Sequence, residues 1–321
     1  MIMSSFDFQN VSSTCNYNKN LILKIVDFNF LESRLKEEFS DLIDRFFIPI
    51  DDPTSRLFYL NIVIAVLFII LWTFFICKEN LFYSVKKIIF NHKYWWNQST
   101  RTDYKIYFMN ALLKAIILIP LFDLSFTIAR QIIILFSNIY VIEDSIESNW
   151  INLTLFSICY FVYDDFLRFI HHLLMHKYSF LWQFHKTHHS ARILTPITLY
   201  RTHPIEVILA ILRNSLSLGL TTGVFVYLFQ SQLTVITIFG THFMGFIFNF
   251  LGSNLRHSHI PISFGKIEYI FISPFQHQIH HSTHPEHHNS NFGVSLSIWD
   301  QINGSFILSQ KIKNKKLRFG L

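Results

Sequence analysis

Sixteen of the chain's 17 histidines fall between residues 171 and 288, in runs that a fold must bring to one place if they share a task. Phe169 to Ser190 carries six of them in 22 residues, and the spacing His-x-x-His-His at His185, His188 and His189 returns at His277, His280 and His281. His172 and His176 are i and i+4, so on a helix both imidazoles point to one side, one turn apart. Each His-x-x-His-His set likewise presents its nitrogens toward a common point. Eight such nitrogens exceed what one ion accepts, because a structural zinc takes four ligands and a catalytic zinc three plus water. Two metals with open coordination positions follow. Imidazole suits zinc, copper, iron and nickel alike, so ligand type alone does not name the metal. The Glu-x-x-His pattern of soluble di-iron bundles and the His-Glu-x-x-His of zinc proteases are both missing from these runs.

The rest of the chain predicts a membrane setting. Of its 321 residues 51% are hydrophobic and 15% charged, with mean hydropathy +0.32. Leu57 to Cys77 runs 21 residues without a charge, long enough to cross a hydrocarbon core of about 30 Å. The cationic stretch 78–105 is then expected on the cytosolic side. Ile106 to Phe136 is interrupted by Lys114, Pro120, Asp123 and Arg130, and reads as one long kinked span or a shallow helical hairpin. Trp150 to Ile170 returns the chain to the cytosol where the histidines begin. Ile205 to Phe229 and Leu233 to Leu251 form a further hairpin that brings His257 and the last run back to the same face. Within it, Gly219 and Gly223 fit a close helix contact.

Residues 1–56 are expected to be a polar segment followed by an amphipathic helix, Phe30 to Phe47, and no secretory signal peptide is visible there. Residues 57–164 hold transmembrane helices, 165–304 a catalytic domain containing the 205–251 hairpin, and 305–321 a basic tail. The three cysteines show no paired spacing and read as inert. The net charge of +6 lies beside predicted spans without a recognition motif, so no nucleic-acid partner is expected. The fold class is thus all-α, a polytopic membrane bundle of four to six spans under a cytosolic, histidine-rich helical cap.

The ordered pieces Asp165-x6-His172-x3-His176, Leu181-Trp182-x2-His185-x2-His188-His189-Ser190 and Arg201-x-His203-Pro204-x-Glu206 resemble the fatty acid hydroxylase/sterol desaturase superfamily. So do Asn254-Leu255-Arg256-His257-Ser258, Ser273-Pro274, His277-Gln278-x-His280-His281-Ser282, Asn291-Phe292-Gly293 and Trp299-Asp300. The resemblance covers 165 to about 304. It implies an integral membrane enzyme with a di-iron, non-haem centre that uses O2 to hydroxylate or desaturate a sterol or fatty-acyl lipid. By that likeness His172, His176, His185, His188, His189, His277, His280 and His281 would be ligands, with His257 as a ninth. His203, His259 and His284 are further candidates for ligation or support, and Asp165 and Glu206 are cast as acceptors of imidazole N–H groups.

The chain has no dinucleotide fingerprint and only nine glycines, so electrons are expected from a separate reductase, ferredoxin or cytochrome, with Lys177, Lys186, Arg192 and Arg201 as a docking surface. The implied location is a multi-pass membrane protein, of the endoplasmic reticulum if eukaryotic and of the inner membrane if bacterial, with the metals facing the cytosol. Two other classes use the same histidines: a zinc-dependent membrane hydrolase, and a non-catalytic metal or haem carrier.

Overall fold

The computed structural model describes residues 58–72, 74–75, 91–140, 150–229, 255–312 and 317–321. Among these the regular secondary structure is helical, joined by loops, and the β contacts are two isolated bridges, Phe271 to Leu296 and Ser282 to Phe319. The long helices are α1 (Tyr59–Trp72), α3 (Gln98–Ile139), α4 (Trp150–Lys177) and α6 (Pro204–Phe229), with the short α2 (His92–Trp95) and α5 (Ser179–His189) between them. Two further helices, α7 (Pro274–His280) and α8 (Ile298–Asn303), belong to the C-terminal cap. The Phe30 to Phe47 helix and the Leu233 to Leu251 arm lie outside the described residues.

Among the described residues one helix, α6, is long and apolar enough to cross a membrane. Pro204 opens it, where a missing N–H costs nothing, and at 1.5 Å per residue its 26 residues reach about 39 Å. The interrupted 106–136 segment is resolved as part of one helix: α3 continues through Pro120 for 42 residues, about 63 Å, rather than folding back. Its start is capped by Asn97, whose side chain accepts from Thr100 N–H. α6 lies directly on α3. A Cβ at Gly219 would come within 2.7 Å of Ile128 and the Ser125 carbonyl, and one at Gly223 within 2.8 Å of the Ala129 carbonyl. Nothing larger than glycine fits at this separation. α1 exposes Tyr59, Val63, Leu67 and Leu71 outward and packs Ala65 and Ile69 against Leu255 and Ile260, beneath the segment that carries His257.

The cap is a loop-rich layer held by buried carboxylates. Glu268, with no exposed surface, accepts from the backbone of Phe264 and Ser309 and from the hydroxyls of Ser263, Ser273 and Ser309. Ser273 and Gln276 form a reciprocal capping box that starts α7, whose apolar side, Phe275 and Ile279, packs on Ile312. Asp300 accepts from the N–H groups of Phe292 and Gly293 at 2.8 and 2.7 Å and from the Ser305 hydroxyl. The stretch expected to be a solvated basic tail is in part built into this layer. Ser305, Ser309 and Ile312 are buried, and Thr283 N–H donates to the Arg318 carbonyl. Apolar residues alternate with the basic ones there and fill the back of α7.

Candidate metal centre

The helix break at Tyr178, an extended residue between α4 and α5, lets α5 turn back across the end of α4. His172 and His176 on α4 then face His185 and His189 on α5, and α7 brings His280 from the other side. Five ring nitrogens, one from each of these residues, lie within 4.8 Å of one another. A second group, His188, His257, His277 and His281, meets the same criterion. The two groups adjoin, since the rings of His189 and His281 stack at 4.5 Å between centroids. Every one of the nine imidazoles singled out by spacing and resemblance therefore belongs to one of two clusters, five in the first and four in the second.

Hydrogen bonds fix which nitrogen faces inward in the first group. His172 Nδ1 donates to the Phe292 carbonyl at 2.7 Å, His280 Nδ1 to the Ser290 carbonyl at 2.7 Å, and His185 Nδ1 to Glu206 Oε1 at 2.8 Å. A neutral imidazole carries one N–H, so each of these bonds leaves Nε2 as a bare lone pair. Nε2 of His176, His185, His189 and His280 is buried with no hydrogen-bond partner. Leaving a buried polar atom unpaired costs about 1–3 kcal/mol. Four such atoms together approach the whole stability margin of a domain, about 5–15 kcal/mol. A cation at their centre removes that cost.

The second group gives an independent argument from valence. His257 Nε2 lies 3.1 Å from both His277 Nε2 and His281 Nε2, and those two are 3.2 Å apart. His188 Nε2 adds a further contact to His257 at 3.2 Å. Each Nε2 has one proton or one lone pair, so it takes part in at most one such bond. The triangle has three edges and hydrogen bonding satisfies one. Nitrogens so close form a donor set that can hold a shared ion, and an all-imidazole set suits iron, zinc, copper or nickel.

Burial adds the electrostatics. It lowers the pKa of His185 to about 3 and of His188 to about 4, with neighbouring imidazoles adding to the effect. His189, His277, His280 and His281 are pushed well below the ordinary histidine range, again by burial first and by neighbouring rings second. At neutral pH the rings are uncharged, the form that binds metal. The groups differ in cover. His172 and His176 are half-buried, whereas all four rings of the second group are buried.

Other expected site residues fall elsewhere. Glu206 does accept an imidazole N–H, from His185, and its second oxygen is buried without a hydrogen-bond partner. Asp165 does not: its carboxylate takes the N–H groups of Ser295 and Leu296 and the indole N–H of Trp299, tying the cap to α4. Backbone donors of the 295–299 turn reach it before any imidazole does. His203 lies outside both groups, where its ring nitrogen accepts from Ile205 N–H at the start of α6. His259 is exposed and packs edge-on to Tyr94, and His284 contacts His287 outside both groups. Arg201 is not a docking residue. It is buried, pairs with Asp103 at 2.8 Å, and donates to the Thr187 carbonyl and the Ser190 hydroxyl, so it clamps the end of α5 to α3.

Several supporting groups left no mark in the spacing analysis. His287, which in sequence reads as a solvated loop residue or as part of a supporting shell, is fully buried. The carbonyls of Ser290 and Phe292 act through the backbone, which any residue supplies. The capping pair Ser273 and Gln276 was the available clue that α7 starts where it does.

Comparison with known proteins follows the same residues. The sequence profile of the fatty acid hydroxylase family matches residues 157–305. Ornithine lipid hydroxylase OlsE of Rhizobium tropici is 32% identical over 142 residues, 44% of this chain and 39% of that protein. The alkylglycerol monooxygenases of Xenopus tropicalis and Homo sapiens are 25% and 24% identical over 160 residues, 49% of this chain and 31% of theirs. The chain thus spans less than two-fifths of the length of these curated relatives. No solved structure matches it.

Proposed function

Since residues 157–305 belong to the fatty acid hydroxylase superfamily, we propose that the chain is a multi-pass membrane oxidoreductase that inserts oxygen into a lipid C–H bond at a di-iron centre. The observation that carries this reading is the division of nine imidazoles into two converging groups, with the inward lone pairs of the first group set by hydrogen bonds. His172, His176, His185, His189 and His280 would hold one iron, and His188, His257, His277 and His281 the other. When bound, the irons supply O2 activation and hydrogen abstraction. Glu206 and the carbonyls of Phe292 and Ser290 orient the rings. The apolar helices hold the lipid and keep water from the reacting carbon.

Of hydroxylation and desaturation the relatives' names favour the first, and neither is named for a sterol. The cationic 78–105 stretch supports a cytosolic metal face, and the span count of four to six keeps the 205–251 hairpin. Electrons come from a separate reductase, ferredoxin or cytochrome.

Metal analysis and lipid profiling test this together. The purified chain should hold two irons, and His280→Ala and His188→Ala should each lose about one, while cells expressing either variant lose the lipid product. Unchanged iron content and lipid profile in both variants would overturn the reading. So would zinc in both sites with activity that persists without O2.

A further inference from the structure

One turn below the imidazoles, α4 carries a charged cluster. Asp164 accepts from Arg168 Nε at 2.6 Å, and its other oxygen accepts from Arg213 Nη1 of α6 at 3.1 Å. Arg213 Nη2 donates to Asn214 Oδ1 at 2.6 Å. Two guanidinium groups share this one carboxylate, so part of their set of N–H donors is left unspent. Asp165 lies close enough to Arg168 to offset part of its charge, but its oxygens are spent on the neutral N–H donors of the cap, and Glu206 is spent on His185. Residues 230–254, the rest of the hairpin, contain no Asp or Glu.

The unspent donors lie mainly on Arg168. Its side chain is 38% exposed, against 8% for Asp164 and 13% for Arg213. Beyond Nε, its nitrogens have no hydrogen-bond partner among the described residues. At 100° per residue Arg168 lies about 120° around α4 from the outward apolar stripe Ile151, Leu155, Ile158, Val162 and Phe166. It therefore opens along the seam with α6 rather than toward bulk lipid, as a snorkelling side chain would. His172 stands four residues on, on the same face, with its Cβ about 5–6 Å away. His172 is also one of the two half-buried rings of the first group, so the accessible edge of the metal centre and the accessible guanidinium are neighbours.

A guanidinium in an apolar setting is stabilised by an anion, and its planar fork matches phosphate or carboxylate with two parallel bonds. Resting on the function proposed above, we infer that Arg168, backed by Arg213, is the subsite for an anionic headgroup, phosphate or carboxylate, of the lipid substrate. Its place one turn from His172 puts the oxidised carbon within a few bonds of that headgroup rather than at mid-chain.

Lipid binding by the full-length, metal-loaded protein in dodecyl maltoside tests the subsite without relying on turnover. Dioleoyl phosphatidic acid and oleate should each bind at least ten-fold more tightly than dioleoylglycerol. Arg168→Gln should abolish that preference and Arg168→Lys retain part of it, with metal content unchanged in both. Arg168→Gln leaves the Asp164 to Arg213 pair in place, and Arg213→Gln gives a second arm with a weaker loss. Equal preference in wild type and Arg168→Gln would overturn the assignment. Displacement of phosphatidic acid by an equal concentration of inorganic phosphate would overturn the lipid source. Iron loss in His280→Ala reports on the metal centre separately, so failure of either idea is recognisable alone.

Discussion

The ring of His185 shows how far a single side chain's work depends on what its far side touches. Its Nδ1 hydrogen bond to Glu206 turns Nε2 inward. Glu206→Ala should therefore weaken metal binding at the first group about 10–100-fold, with the second group unaffected, as read by chelator competition. Glu206→Gln keeps an acceptor and should recover most of that loss. The clustered histidines themselves were legible in the sequence because i, i+3 and i+4 spacing puts them on one side of a helix. Their hydrogen-bond acceptors were legible only where a side chain supplies them. Glu206 was found, whereas the Ser290 and Phe292 carbonyls carry no residue-type trace, and Asp165, matched by position, serves the 295–299 turn instead. Asp300 acts at one remove, since it holds Phe292 N–H and with it the carbonyl that receives His172.

Helix contacts decide whether these rings meet at all. α6 approaches α3 through Gly219 and Gly223, and Gly219→Ala should already destabilise by about 1–3 kcal/mol, because the new Cβ meets backbone as well as Ile128. Thermal unfolding in detergent would show this, with Gly223→Ala behaving alike. The same spacing in the sequence was weak on its own; the partner helix gives it meaning. The Arg201 clamp was misplaced on the surface because a cation beside a predicted span reads as cytosolic charge. Its partner Asp103 lies 98 residues earlier, beyond any local pattern. Asp103→Ala strands a buried guanidinium and should cost about 3–5 kcal/mol, visible as a lowered melting temperature with loss of metal from both groups, since α5 carries rings of each.

At the scale of the whole molecule, the helical class seen among the described residues and the long-range return of the third histidine run were readable from hydropathy and spacing. The cap's internal order was not, because it rests on Glu268 and Asp300 taking backbone and serine donors from loops that have no periodicity. Glu268→Ala should loosen the entire cap, measurable as faster hydrogen exchange across 263–309. The unequal cover of the two histidine groups sets an order in time. The first group opens through two half-buried rings, and the second is closed on all four. On the proposed reading, chelation should remove iron in two phases, a fast one from the open group and a slow one limited by loosening of the cap. Assembly runs in reverse, so the closed ion must enter before the cap settles, and a chain folded without iron should later accept only the outer one readily.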